Sequence, residues 1–375
     1  MCLALAGCQF IPAGERPRPP EPVEQAPQPD PTPSPAPDAE RNRVAVLVPL
    51  TGSNAGIGTS ISNAANLALL DTGGREITIS VYDTAAGGAQ AAARRAIAEG
   101  NGLFLGPLLA ADVRAVAPIA KAADVPVIAF SNDVSVAGDG VYLMGFTPGQ
   151  SIDRVVRHAR TQNIQRFAGL TPEGDYGRRS SQALVSAVER AGGRMVGMQS
   201  YAATPQWLRS AVIKLNAQSG YDAVLIADGA RGAAGAATLI RGGPSGEARI
   251  LGTEIWKTEN NLASLASLRG AWFASVPDTM FNQLRTRYRA RYGKTPYRLA
   301  SLGYDSVLLA VRIAKDWRVG RPFPESALRS DEGFTGVDGA FRFGRDGVAE
   351  RTLEVLEIGP GGTKVVSPAP RGFAD

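Results

Sequence analysis

The sequence predicts an α/β protein of two lobes, in which each lobe is a mainly parallel sheet flanked by helices. Three observations support this fold class. Short apolar runs rich in β-branched residues alternate with helical stretches, which is the pattern of parallel strands joined by helical crossovers. The alternation begins at Val44, directly after a proline-rich segment. It restarts after residues 146–149, and two successive runs of similar size indicate two similar lobes.

The first run opens with residues 44–50, which are wholly apolar and predict a strand covered on both faces. Polar residues and glycine follow it, and a helical stretch comes next. The predicted strands of this run are residues 44–50, 77–83, 103–106 and 125–131, and the predicted helices are residues 57–70, 89–98 and 112–123.

The second run repeats the unit in the same order. Its predicted helices are residues 152–161, 176–190, 207–216 and 233–240, and its predicted strands are residues 167–170, 195–201, 223–227 and 250–251. Two more helices are predicted at 281–292 and 302–317. The tail differs, because residues 340–343 and 353–358 flank the turn-forming stretch 344–347 (GRDG), which predicts a β-hairpin.

The N-terminus resembles that of a bacterial lipoprotein. Residues 5–8 (LAGC) resemble the lipobox, in which small residues precede a cysteine that receives acyl chains. We therefore expect Cys8 to anchor the protein in a membrane. Residues 1–8 look like a truncated signal, since they lack a basic segment and a full apolar stretch; this predicts a start codon upstream. Gln9 stands where Asp would favour the inner membrane of enteric bacteria, so the outer membrane is expected.

Residues 9–43 contain eleven prolines interspersed with polar and charged residues. Such a segment cannot bury enough apolar surface to offset the entropy of ordering it, so a disordered tether is predicted. An extended chain of this length would span on the order of 100 Å. No later segment reaches the roughly 18 consecutive apolar residues of a membrane-spanning helix.

Charge and cysteine content exclude several classes of function. The net charge of the whole chain is +5, and the basic residues form no run with interleaved aromatics, so nucleic acid is not an expected partner. Cys2 and Cys8 are the only cysteines. The body from Val44 onward therefore has neither a disulfide framework nor a thiolate zinc site.

Nine short stretches follow one another along the body, each of them weak alone. They are residues 48–52 (VPLTG), 81–84 (VYDT), 105–108 (LGPL), 117–120 (APIA), 125–128 (VPVI), 174–177 (GDYG), 251–253 (LGT), 292–293 (YG) and 304–305 (YD). In this order and spacing, residues 44–358 resemble the type I periplasmic binding proteins, the family of leucine and branched-chain amino-acid receptors.

The resemblance implies a chain path with three hinge crossings, near Thr147, Ser275 and Gly333. The first lobe would comprise residues 44–147 and 275–332. The second lobe would comprise residues 148–274 and 333–366, followed by a tail at 367–375.

Ligands of open α/β sheets bind beyond the carboxyl ends of the strands. The residues expected to line such a cleft are Ser53, Asn54, Leu109, Ala110, Ala111, Ser131, Asn132, Tyr176, Asp228 and Glu254. In amino-acid binders of the family, the loop after the Gly-Pro stretch carries a serine that helps to hold the ligand carboxylate. The matching positions here are Ala110 and Ala111, so that hydroxyl is missing. Ser131 and Asn132 could compensate, but Asn, Ser and Asp in such loops also serve as ordinary helix caps.

The sequence contains no recognisable catalytic motif. His158 is the only histidine, between Arg157 and Arg160 of an amphipathic helix, and we predict that it faces solvent. With one histidine and no cysteine in the body, neither a Ser-His-Asp nor a Cys-His site is indicated. No histidine and carboxylate cluster has zinc spacing, and the sequence contains no P-loop or complete dinucleotide fingerprint. No metal, cofactor or catalytic residue is therefore predicted.

Two functions remain. The lipobox and the long spacer resemble those of the penicillin-binding-protein activators, which implies a regulator that contacts a peptidoglycan synthase. The tether and the two alanines favour this interpretation. The overall family resemblance implies instead a solute receptor for an amino-acid ABC importer, with an ABC permease as partner and a small polar ligand. The sequence favours the regulator.

Overall fold

In the computed structural model, which describes residues 41–218, 220–259 and 261–373, two large sheets form the centres of two lobes. One sheet has five strands and the other has seven, and a separate sheet has three. Helices cover both faces of each large sheet. The predicted two-lobed α/β fold is therefore confirmed.

The first lobe contains a parallel sheet with the strand order β2-β1-β3-β4-β5. Its elements are β1 (Asn42–Val48), α1 (Ala55–Asp71), β2 (Ile77–Asp83), α2 (Ala89–Ala98), β3 (Leu103–Leu105), α3 (Ala110–Ala122), β4 (Val127–Ala129) and β5 (Val141–Leu143). Alternate residues of β1 enter opposite layers: Val44 and Val46 pack in the cluster that includes α1, and Ala45 packs in the cluster that includes α2 and α3. This two-sided burial explains why β1 is apolar throughout.

The second lobe contains the seven-stranded sheet. Its elements up to the second crossing are α4 (Pro148–Thr161), β6 (Arg166–Pro172), α5 (Asp175–Arg190), β7 (Arg194–Tyr201), α6 (Pro205–Asn216), β8 (Ala223–Ile226), α7 (Ala230–Arg241), β9 (Arg249–Gly252) and β10 (Trp272–Ser275). Two apolar clusters lie on its opposite faces, one with α6 and α7 and the other with α4 and α5. The chain thus passes from the first lobe to the second between β5 and α4.

After β10 the chain returns to the first lobe, where two long helices pack against α1 and the first sheet. The remaining elements are α8 (Thr279–Tyr292), α9 (Ala300–Ala314), β11 (Phe334–Gly336), β12 (Gly339–Phe343), β13 (Ala349–Arg351), β14 (Glu354–Gly359) and β15 (Gly362–Ser367). β14 and β15 complete the second sheet as antiparallel strands, in the order β15-β14-β10-β9-β8-β6-β7.

The last crossing lies later in the chain than the sequence indicated. Phe334, Phe341 and Phe343 of the three-stranded sheet belong to the first lobe's core cluster, and Phe343 packs edge-on against Tyr142 of β5 with ring centroids 5.2 Å apart. The prediction placed residues 333–366 in the second lobe. The apolar partners of these aromatic side chains lie in the first lobe, so the chain crosses after β13 rather than near Gly333.

The predicted C-terminal hairpin is correct in its turn and its first strand but not in its second strand. The stretch 344–347 does turn the chain, but β12 pairs with β13 at residues 349–351 and not with residues 353–358. Residues 354–359 form β14, which pairs with β10 of the large sheet. The sequence pattern identified a turn between two strands but not the short β13 that intervenes.

The body begins slightly earlier than predicted. Asn42 and Arg43 were assigned to the tether, yet both belong to β1, and the buried Asn42 amide donates to the Trp317 carbonyl oxygen at 2.7 Å. The signal, Cys8 and tether residues 9–40 lie outside the described residues. Of the predicted tail, Ser367 ends β15 and residues 374–375 lie outside the description. None of the helices described is long and apolar enough to cross a membrane.

Candidate ligand cleft

In each lobe, the first strand along the chain, β1 or β6, leads into the next helix by the same tight passage. A Cβ atom added to Gly58 would overlap the Pro49 carbonyl oxygen, and one added to Gly177 would overlap the Pro172 carbonyl oxygen. Glycine therefore allows α1 and α5 to start directly beside the ends of β1 and β6. This arrangement brings helix N-termini to the edge of the sheet where ligands of α/β proteins bind.

The loop after β1 is held by an acid at the end of β2. The Thr51 hydroxyl and the Leu50 N–H both donate to the Asp83 carboxylate at 2.8 Å. Partial burial raises the pKa of Asp83, but these hydrogen bonds outweigh it and the net shift is downward. Of the predicted cleft residues that follow Gly52, Ser53 is exposed, and the side chain of Asn54 makes no capping bond to α1.

The helix start that would face a ligand carboxylate carries no hydroxyl. α3 begins at Ala110, the exposed Ala111 follows, and Leu109 before them is 39% exposed. The first turn also contains Asp112, whose pKa is raised by burial. An acidic side chain at a helix N-terminus takes the place that the helix dipole offers to an anion. This turn is therefore poorly suited to a carboxylate ligand.

The predicted compensating residues are only partly available. Ser131 is buried, and its hydroxyl oxygen accepts a hydrogen bond from the Asp133 N–H at 3.1 Å, which ties it to its own loop. Asn132 is exposed. Asp133 itself turns inward, with its side chain 8% exposed.

Asp133 joins the two lobes. Its carboxylate lies 2.9 Å from Arg114 Nη2 in its own lobe and 3.3 Å from Arg179 Nη1 of α5 in the second lobe. Burial raises the pKa of Asp133, but the Ser135 hydroxyl and N–H and the two arginines together shift it downward. Asp133 is therefore ionised at neutral pH, and an ion pair spans the cleft between the lobes.

The second lobe contributes an acid that remains half exposed. The Tyr201 hydroxyl donates to the Asp228 carboxylate in a short hydrogen bond, and the Trp256 indole N–H donates to the Asp228 carbonyl oxygen at 2.9 Å. Burial, and then the neighbouring carboxylate, raise the pKa of Tyr201. Asp228 thus lies at the carboxyl end of β8, held by groups from two neighbouring segments.

Tyr176 and Glu254 meet in a buried network. The Tyr176 hydroxyl donates to Glu254 Oε1 at 3.1 Å and shares a 2.8 Å hydrogen bond with the Thr253 hydroxyl. The Ser151 hydroxyl of α4 donates to Glu254 Oε2 at 2.6 Å. Burial raises the pKa of Glu254. This acid is therefore a structural link between α4, α5 and the loop after β9.

The structure brings only some of the predicted residues together. Tyr176 contacts Glu254, whereas Ser53, Asn54, Leu109, Ala110 and Ala111 make no hydrogen bond to the second lobe within the described chain. Asp133 and Arg179 were missed because each is an ordinary charged residue in sequence. Arg179 does follow Tyr176 by three positions, which puts the two on one face of α5.

The prediction that His158 faces solvent was wrong. Its side chain is buried, and the ring stacks edge-on against Trp272 with centroids 4.8 Å apart. Burial lowers the pKa of His158, followed by the charges of Arg154 and Arg249. Flanking arginines suggested a polar face, but the 3.6-residue period turns His158 to the side of α4 that packs on β10. Among the described residues, no group of three His, Cys, Asp or Glu side chains is placed to hold a metal.

Comparison with known proteins agrees with this fold. The sequence profile of the family described as periplasmic binding protein matches residues 42–363. An uncharacterized protein of Rickettsia prowazekii is 24% identical over 170 residues, which cover 45% of this chain and 46% of that protein. The matched stretch thus spans about half the length of this curated relative.

Three solved structures illustrate the range of similar proteins. A leucine-binding protein of Thermotoga maritima is 21% identical with a TM-score of 0.65, covering 87% of this chain and 98% of that one. An ABC transporter substrate-binding protein of Sphaerobacter thermophilus is 20% identical with a TM-score of 0.72, covering 88% and 97%. Full-length LpoA of Haemophilus influenzae is 19% identical with a TM-score of 0.67, covering 88% of this chain but only 59% of that one.

Proposed function

Because the chain belongs to the periplasmic binding protein family, we propose that it is a non-enzymatic periplasmic lipoprotein that activates a peptidoglycan synthase. The observation that best supports this proposal is the ion pair between Asp133 and Arg179. In a solute receptor, a ligand must draw the two lobes together, so that closure reports binding. Here the protein's own charges already join the lobes across the cleft.

The first-lobe side of the cleft supports this proposal. A ligand carboxylate would meet Ala110 and Ala111 rather than a hydroxyl, and it would approach the acid Asp112. A hydrogen bond to a charged group contributes roughly 1.5–3 kcal/mol, so its absence weakens amino-acid capture considerably. LpoA, a penicillin-binding-protein activator, shares the fold, which makes the regulatory role compatible with this body.

The importer receptor is the second candidate, and Asp228 is the observation that favours it. Its half-exposed carboxylate lies at the carboxyl end of β8, where it could accept hydrogen bonds from a ligand amine. Substrate-binding proteins of ABC transporters are also among the similar structures. In this case the ion pair would represent a closed state.

A melting experiment separates the two candidates. A ligand that binds only the folded protein at a thousandfold excess over its Kd adds about 4 kcal/mol of stability. Millimolar leucine, isoleucine or valine should therefore raise the melting temperature of a receptor with a micromolar Kd by many degrees. We expect little or no shift for the wild type. Ala110→Ser tests whether the missing hydroxyl is the cause, and a large wild-type shift would reverse the ranking.

A binding assay tests the regulatory role directly. We expect the purified protein to bind the periplasmic part of a bifunctional peptidoglycan synthase from the same organism and to increase its rate of glycan or peptide synthesis. Absence of binding and of stimulation across the organism's synthases would contradict the proposal, whatever the result of the melting experiment.

A further inference from the structure

A small cavity lies where the three crossings between the lobes meet. Its volume is about 30 Å³, and each crossing contributes to its wall: Thr147 from the first, Ser275 from the second and Leu353 from the third. A volume of this size holds one or two water-sized particles. Anything bound there contacts all three segments that connect the lobes.

Two buried arginines line this cavity. The side chain of Arg298 is 10% exposed, and Arg351 is 8% exposed. Arg298 Nη1 lies 2.7 Å from the Asp338 carboxylate, and Arg351 Nη2 donates to the Met144 carbonyl oxygen at 2.7 Å. The other four guanidinium positions, which are Nε and Nη2 of Arg298 and Nε and Nη1 of Arg351, are buried and have no hydrogen-bond partner in the described chain.

The charge of Arg351 is not balanced nearby. No carboxylate of the described residues lies within 4 Å of its guanidinium, which instead faces the rings of Phe146 and Phe341 at 5.0 and 5.2 Å. By contrast, Arg298 pairs with Asp338 at 2.7 Å and, through Nε, with Asp278 at 3.8 Å, and Lys257 in the same wall pairs with Asp278 at 2.6 Å. Asp338 and Asp305 act on Arg351 only at longer range. A buried cation without a close counter-ion is costly, and such groups in proteins are normally paired.

We propose that the hinge cavity binds a small monovalent anion of the halide class, held by the N–H groups of Arg298 and Arg351. The volume suits a single spherical ion, and a halide accepts hydrogen bonds from any direction. A divalent oxyanion is larger and loses more hydration energy on burial. This inference is independent of whether the protein is a regulator or a receptor.

The remaining acid of the cavity wall does not oppose an anion. Burial raises the pKa of Glu254, which favours the uncharged carboxyl, and the Ser151 and Tyr176 hydroxyls already bond to it. The cavity is adjacent to a larger groove of about 980 Å³ beside α4 and α5, because Gln150, Arg351 and Leu353 line both. A bound ion would therefore contact all three crossings next to this groove.

Anomalous scattering tests the site in the unaltered full-length protein. Crystals grown with bromide in place of chloride should show an anomalous peak inside the cavity, within hydrogen-bonding distance of Arg298 and Arg351 nitrogen atoms. If the refined cavity contains only water and no anomalous signal, the proposal is wrong. This measurement does not depend on any variant folding.

A solution experiment with matched variants tests the same site. At a fixed ionic strength of about 0.15 M, replacing gluconate by chloride or bromide should raise the melting temperature by a few degrees and in a saturable way. Arg351→Met removes the unbalanced charge and should abolish this response. Arg342→Met, on the neighbouring strand, removes an arginine that pairs with Glu350 instead and should retain it. A halide response that survives in Arg351→Met would overturn the proposal.

Discussion

Arg179 of the second lobe lies with its Nη1 atom 3.3 Å from the Asp133 Oδ1 atom of the first lobe. Asp133 is also bonded to Arg114 and to the N–H and hydroxyl of Ser135. These contacts from its own lobe fix the orientation of the carboxylate that Arg179 meets. The pair therefore joins the lobes through largely buried side chains, 22% exposed for Arg179 and 8% for Asp133.

Breaking this link should loosen the lobes. We expect Arg179→Gln to lower the free energy of unfolding by roughly 1–3 kcal/mol, because it leaves a largely buried carboxylate with one counter-ion fewer. Small-angle scattering should show a larger radius of gyration. The adjacent Arg178 pairs with Asp175 on the surface, with both side chains 68% exposed, so Arg178→Gln should change neither quantity. Equal effects of the two substitutions would contradict the assignment.

Glu254 should be replaceable by its amide. Burial raises its folded pKa above the ordinary value, so the ionised form becomes destabilising as pH rises toward that folded value. Glu254→Gln keeps partners for Ser151 and Tyr176 and avoids this ionisation; its stability relative to wild type should therefore rise between about pH 5 and pH 8. Glu254→Ala leaves both hydroxyls without their partner and should cost about 1–3 kcal/mol. Urea unfolding at both pH values measures this.

Asp305 should make the stability fall as pH rises. Its burial, and then the nearby Asp338 carboxylate, raise the pKa of Asp305 to about 7. A raised pKa means that the folded state binds the proton more tightly, so the stabilisation is present at low pH and is lost as pH rises through about 7.

The variant Asp305→Asn removes this titration. The free energy of unfolding of the wild type minus that of Asp305→Asn should decrease from pH 5 to pH 8, with a slope of up to about 1.4 kcal/mol per pH unit. His158 titrates in the opposite direction but is common to both proteins and cancels. Asp316→Asn, an exposed acid just after α9, serves as the control. A pH-independent difference for Asp305→Asn would contradict the assignment.

The start of the folded body can be located by truncation. A chain beginning at Arg41 keeps all of β1 and should melt within a few degrees of the longer protein. A chain beginning at Val44 loses the buried bond from Asn42 to Trp317 and two positions of the β1–β2 pairing. It should be less stable by about 1–3 kcal/mol. A large loss already at Arg41 would mean that the proline-rich segment packs on the body.

Anchoring through Cys8 is tested by fractionation. When both proteins are expressed with a complete lipoprotein signal peptide, the wild type should be found with the membranes and Cys8→Ser in the soluble periplasmic fraction. The reason is that each buried CH₂ of an acyl chain adds roughly 0.8 kcal/mol to the free energy of membrane binding. Separation of inner from outer membranes then tests the expected outer-membrane location. If Cys8→Ser remains wholly with the membranes, another part of the chain is the anchor.

Local sequence patterns predicted most elements of the two large sheets. β2 and α2 have the predicted bounds, because each is delimited by glycine or polar residues that end the apolar period. The short strands β5, β10, β11 and β13 were missed, since three or four residues are too few to show a period, and the six-residue β15 was missed as well. The site was predicted less well: Tyr176 and Glu254 do meet, whereas the link between Asp133 and Arg179 joins residues that are 46 positions apart.

The sequence by itself determined the fold class, the place where the folded body begins to within two residues, and the absence of a hydroxyl at Ala110 and Ala111. These features depend on residue type and on the periodic spacing of apolar residues along the chain. Only the tertiary structure decided that the three-stranded sheet belongs to the first lobe, that His158 packs on Trp272, and that Arg298 and Arg351 share a cavity. Each of these depends on which distant segment offers an apolar surface or a counter-charge, and that information exists only once the chain is folded.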